Sequence, residues 1–145
     1  MTDDETGEDD PLSPFAHIER LIGEGKLSRD VVQSAEHYWH EYLQEALALP
    51  NGDRVTVTRR SFYHLIADSR IARKPGRIII ILRNVFAIHA ARFGRREAFS
   101  EWREDERTLV GYAILNPDGG VRAIHIVAPT EQRRKMKQGD VLWRR

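Results

Sequence analysis

The sequence predicts an α+β fold: N-terminal helices followed by a small antiparallel sheet of about four strands, with helices packed on one face. Three observations carry this. Helical apolar spacing dominates residues 15–48, alternation and turn chemistry dominate residues 98–127, and the segment between mixes a strand with helices. Helices first and strands afterwards argue a segregated architecture, not a doubly wound one. At 145 residues the chain can build one domain with a real core and is short for two. A single domain over 11–145 is expected, with a helical part at 11–50, a core at 54–130 and a basic C-terminal tail at 131–145.

Each element has its own signal. Residues 1–10 hold six acids and no Lys or Arg and read as a disordered acidic tail. Ser13 and Pro14 suit the cap and first turn of a short helix, Phe15 to Ile22. Ser28 caps a second helix that runs to about Ala48, striped by Val31, Ala35, Tyr38, Trp39, Tyr42, Leu43, Ala46 and Leu47. Pro50-Asn51-Gly52-Asp53 then turns the chain. Arg54 to Thr58 alternates polar and apolar residues as a half-buried strand does. Ser61 is placed to cap a helix over Phe62–Ala67. Lys74-Pro75-Gly76 marks a loop. Ile78 to Phe93 opens as an apolar run and ends with helical spacing at Leu82, Val85, Phe86, His89 and Ala90, closed by Gly94 as C-cap.

Beyond Gly94 the pattern is that of strands. Ala98–Trp102 and Thr108–Leu115 lead into Asn116-Pro117-Asp118-Gly119-Gly120, a hairpin turn, and then Val121–Val127. A register with Asn116 facing Val121 sets Tyr112 opposite His125. Val141-Leu142-Trp143 is suited to a short edge strand.

Composition narrows the function. Hydrophobic residues at 41% and charged residues at 31% describe a soluble globular protein. The net charge of +1 conceals an asymmetry, because without residues 1–10 there are 23 basic residues against 16 acidic ones. No cysteine is present, which removes disulfides and thiolate metal sites and favours a cytoplasmic setting. The acidic N-terminus lacks the apolar stretch of a secretory signal, and Ile78–Leu82 is far shorter than the ~20 apolar residues of a membrane span. No membrane partner and no cofactor are expected.

The most informative stretch is Arg54 to Arg96, with eleven basic residues against the single acid Asp68. Interleaved with Val, Ile, Phe and Tyr, it reads as folded structure presenting charge to an anion, and RNA or another nucleic acid is the first partner to consider. Arg59, Arg60, Arg73, Lys74 and Arg77 are the candidate phosphate contacts, with Arg70 among them. His64 sits in their midst. Its unperturbed pKa near ~6.5 suits general acid–base work, and neighbouring arginines favour the neutral, base-competent ring. RNA cleavage asks for a base on the 2′-hydroxyl, an acid on the leaving oxygen and cations on the phosphorane. Tyr112 and His125, touching across two strands, form a second candidate pair. His89 reads as structural. His37 and His40 share a helix face but lack a third ligand, so no metal site is assigned.

A strand ending at Thr58, then Ser61-Phe62-Tyr63-His64-Leu65-Ile66, then Arg70, a second helix and a three-strand meander resembles the barnase–EndoU–colicin–RelE-like nucleases, especially their phage-associated branches. The resemblance spans Arg54 to about Thr130. It implies RNA cleavage without a metal, with His64 as the helix histidine and Arg70 as a second catalytic residue. Tyr112, His125 and Thr130 are placed by strand order. The Ser/Thr-rich terminal strand of that family has no counterpart here. Three functional classes stand open. The first is a metal-independent endoribonuclease, a toxin or phage-defence component that would bring a cognate inhibitor protein as partner. The second is a non-catalytic nucleic-acid-binding module. The third is a protein-interaction domain using Trp39, Trp102 and Trp143.

Overall fold

The computed structural model describes residues 13–145, and the acidic head lies outside the described residues. Helix α1 spans Pro14–Gly23, with Ser13 Oγ accepting from the Ala16 amide. Helix α2 spans Arg29–Tyr42, capped by Ser28 through the Val31 amide. It stops at Leu43, short of Ala48. Leu47–Ala48 form strand β1 instead, which pairs with β2, Arg54–Val55, around the Pro50–Asp53 turn. The expected strand over 54–58 is thus only two residues long. Thr56 bridges to Gly120, and the Val57 carbonyl accepts from the Trp39 indole at 2.9 Å.

Helix α3, Arg59–Leu65, is capped by Thr58, whose Oγ1 accepts from the Ser61 amide at 3.1 Å. Ser61 is therefore not the cap. Its hydroxyl donates across the fold to the Val121 carbonyl. After a single turn, α4 (Ser69–Ala72), comes α5, Arg77–Arg83. The run Ile78–Leu82 is helical despite its β-branched residues, whose helix propensity is only slightly low. Ile78, Ile81 and Leu82 are fully buried at helical spacing. The next element, β3 (Val85–Ala90), is a strand where the apolar spacing predicts a continuing helix. It is hydrogen-bonded on both edges and buried on both faces, so its apolar residues do not alternate.

Strands β4 (Arg96–Glu104), β5 (Arg107–Leu115), β6 (Val121–Val127) and β7 (Val141–Arg144) complete an antiparallel sheet of order β6-β5-β4-β3-β7. That makes five strands, not four, because the C-terminal segment docks on β3 as an edge. Before it, Pro129–Met136 forms α6, so the basic stretch at 131–145 is built into the fold.

The two faces of the sheet differ. Ala98, Trp102, Ala113, Leu115, Val121 and Ile124 meet α1–α5 in the main core. Phe99, Val110, Tyr112 and Ala123 lie on the other face. Helix α6 covers part of that second face, so the helices do not all lie on one side. Gln132 Nε2 donates to the carbonyls of Ser100 at 2.8 Å and Gly111 at 2.9 Å. Gly111 permits a close approach of β5 and β6: a Cβ there would stand 2.5 Å from the His125 carbonyl oxygen.

Candidate functional site

The groove around His64 arises from how α3 is fixed. Phe62 and Leu65 are buried beneath the helix, and the Ser61 hydroxyl ties it to the first residue of β6. His64, one residue before the C-terminal end, is left exposed on the opposite side. It opens into a groove of about 360 Å³ lined with Arg60, Ser61, Asn116, Val121 and Arg122. Partial desolvation, then the charge of Arg122, then His125 and His17, hold the His64 imidazole below its ordinary pKa. At neutral pH the ring is uncharged and can accept a proton. Nothing local in the sequence points to Arg122 and Asn116, because they belong to the β5–β6 hairpin, about fifty residues away.

The other candidates separate into two groups. Arg70 forks onto Asp68, with Nε 3.2 Å from Oδ1 and Nη2 2.9 Å from Oδ2, while Nη1 donates to the Ile126 carbonyl at 3.2 Å. It clamps α4 to the end of β6. Burial raises the Asp68 pKa, but the hydrogen bonds from Arg70 outweigh this and leave the carboxyl below its usual value. Arg77 and Lys74 both close on Glu104. Arg59 lies over the rings of Phe15 and Tyr63 at 5.2 and 5.5 Å. Arg73 is exposed at the edge of a depression beside His37 and Tyr38. Of the expected phosphate contacts, Arg60 alone lines the His64 groove.

Tyr112 and His125 do meet across β5 and β6, with ring centroids 5.0 Å apart. The register differs from the expected one on the way there. Leu115, not Asn116, faces Val121, and an irregularity beside Ile114 restores Tyr112 opposite His125. These two rings extend a row that begins at His89 and passes through Phe99, one ring per strand. Tyr112 is buried, and desolvation raises its pKa, so the phenol stays protonated. Its ring carries Lys135 Nζ at 5.6 Å. His125 is exposed and leaves the edge strand on the face away from α3, yet it bears on the charge of His64. Thr130 is exposed in the first turn of α6. His89 is buried, on a strand and not on a helix.

His40 Nδ1 lies 3.2 Å from Gln44 Nε2. Among the described residues no group of three or more His, Cys, Asp or Glu is placed to hold a metal ion, and no helix is long and apolar enough to cross a membrane. No family model, no curated protein and no solved structure matches this chain.

Proposed function

We propose that this chain is an endoribonuclease-like domain that cleaves RNA by acid–base transesterification in the His64 groove. The observation that carries the reading is an exposed imidazole kept uncharged beside Arg60 and Arg122. In this mechanism neutral His64 removes the 2′-hydroxyl proton. The freed oxygen attacks the adjacent phosphorus, the bond to the 5′ oxygen breaks, and a 2′,3′-cyclic phosphate is left behind. Arg60 and Arg122 hold the phosphate as charge builds on its oxygens. The departing 5′ oxygen needs a proton. Solvent water supplies it, because His125 lies on the face away from α3 and does not line the groove. Arg70 supports this site by fixing the end of β6, the strand that carries Arg122, while Tyr112 lies against His125 on the opposite face.

The test is cleavage of total RNA in the presence of EDTA. Wild type should cut, and His64→Ala should lose ~10²–10⁴-fold in rate, the usual worth of a positioned base. Cleavage that stops with EDTA would replace this route with metal chemistry. The binding-only reading has one observation in its favour, the burial of Tyr112 away from His64. It becomes the better account if wild type binds RNA with a steep salt dependence but never cuts it.

A further inference from the structure

A second cleft, of about 770 Å³, opens on the face of the sheet that carries α6. Its floor is polar and buried. Glu97 is only 6% exposed and lines the cleft. Lys135 Nζ stands 3.1 Å from Glu97 Oε2 as an ion pair, yet no donor is aligned on that oxygen as a hydrogen bond. Opposite Glu97 in the ladder is His89, 3% exposed, with neither ring nitrogen hydrogen-bonded. Buried polar atoms are nearly always satisfied within a fold. Lys135 compensates the Glu97 carboxylate at 3.1 Å, so the pair sets an acceptor group beside a donor at the cleft wall.

The rim has a different character. Phe93 is 79% exposed and has a φ of 61°, in the left-handed region that bulky residues avoid. The fold thus holds a large aromatic ring in solvent against both burial and backbone preference. Arg95 lies over that ring at 5.3 Å. Arg92 and Arg95 form no ion pair among the described residues. An exposed ring with guanidinium groups beside it is the arrangement on which single-stranded nucleic acids stack.

The cleft is also next to the groove already described. Gly94 packs so closely on the β5–β6 turn that a Cβ there would stand 3.3 Å from Pro117 Cγ. Asn116 of the same turn lines the His64 groove. One turn therefore separates the two openings.

We infer that this cleft is a nucleotide-binding subsite that seats one base of the single-stranded RNA passing His64. The base stacks on Phe93, and the neighbouring phosphate lies on Arg92 and Arg95. The base edge meets the Glu97–Lys135 pair, an acceptor beside a donor, which suits the adjacent N–H and acceptor groups that base edges present. The identity of the strand as RNA rests on the ribonuclease reading; the stacking site rests on Phe93, the two arginines and Glu97.

The experiment uses a short, fluorescein-labelled 2′-O-methyl RNA single strand, which cannot be cleaved, and reads binding to the full chain by fluorescence anisotropy. Phe93→Asn is the decisive variant, because Asn tolerates the left-handed backbone. Its melting temperature should stay level or rise, while affinity falls about tenfold. Arg92→Gln and Arg95→Gln should each reduce the salt slope of log affinity by about one. A duplex of the same sequence should compete poorly, since its bases are already stacked. Phe93→Asn binding within about twofold of wild type overturns the subsite, as does a duplex that competes equally well. The two readings fail separately. Wild-type cleavage without Phe93-dependent binding overturns the subsite alone. Phe93-dependent binding without any cleavage overturns the ribonuclease reading and leaves the subsite standing.

Discussion

Arg77 and Glu104 face one another as a fork, with Nε 3.1 Å from Oε2 and Nη2 2.5 Å from Oε1. The pair joins the start of α5 to the end of β4, and both side chains are largely buried. Lys74 at 2.9 Å and the Trp102 indole at 3.3 Å complete the carboxylate's partners. Arg77 first, then Lys74, hold the Glu104 carboxyl down at about 2. Two cations that looked free for phosphate are thus compensated by an acid at the end of a distant strand.

Glu104→Gln should leave the Arg77 guanidinium enclosed without its anion and destabilise the fold by about 1–3 kcal/mol, below the loss for a fully buried pair because water reaches this one. The pH dependence has a defined sign. A depressed carboxyl stabilises the fold fully above its unfolded value, 4.5, and the contribution drains away as pH falls from there toward about 2. Urea midpoints for wild type and variant should therefore differ near neutrality and converge in acid. Equal midpoints at neutral pH would show that the fork contributes nothing.

Gly111→Ala tests the close approach of β5 and β6. The added carbon would meet the His125 carbonyl oxygen at 2.5 Å, a backbone atom that cannot swing aside as a side-chain tip can. A loss of about 1–3 kcal/mol is expected, as for overpacking elsewhere, read as a lower melting temperature. Because β5 carries Tyr112 and β6 carries His125, the aromatic contact between them should loosen too. A melting temperature within a degree or so of wild type would mean that the strands separate freely here.

Thr58 and Ser61 offer a matched pair of substitutions. Thr58→Ala removes the cap of α3 and should cost ~1 kcal/mol. Ser61→Ala removes the bond to the Val121 carbonyl at a similar cost of about 1 kcal/mol, but it also releases the helix from the strand beside His64. Chemical denaturation should find the two alike, whereas RNA cleavage should fall more for Ser61→Ala. Equal cleavage in the two variants would show that the link to Val121 does not position the imidazole.

The contrast between these two residues shows what could be read from the sequence. A cap lies within three residues of its partner, so Ser13 and Ser28 were legible, and so was the presence of a helix at His64. Which of Thr58 and Ser61 capped it depended on Val121, sixty residues on. Turn chemistry at Asn116–Gly120 gave the hairpin, but Tyr112 comes opposite His125 only because an irregularity beside Ile114 offsets a register that starts one residue away from the expected one. The run at Ile78 misled because Ile79 and the exposed Ile80 fill the outward positions of α5 with apolar residues and erase its period, so a helix and a strand in series, α5 and β3, presented one apolar block. The charge count failed for the same reason of distance. Asp68 was visible within the basic stretch, while Glu104 and Asp105 reached it only through the sheet. Arg122 and the Glu97–Lys135 pair likewise exist as site features only after folding.

The His64 imidazole gives the most direct test of the site. Its pKa lies below 6.5, first through desolvation and second through the charge of Arg122. A histidine whose folded value is depressed destabilises the fold on protonation. The stability is complete above the unfolded value and is lost as pH falls from about 6.5 through the folded value. Cleavage that requires the neutral ring should track the folded value, with an acid limb that falls below 6.5. Arg122→Gln removes the second cause and leaves the first. The acid limb and the NMR titration of the His64 ring should move upward together, part of the way to 6.5. His64→Gln should abolish both the titration and the cleavage while leaving the melting temperature near neutrality within a few degrees, because the ring is exposed. A His64 titration at or above 6.5 in the wild-type protein would show that neither burial nor Arg122 depresses the ring. An Arg122→Gln variant with an unmoved acid limb would show that the arginine does not act on that ring.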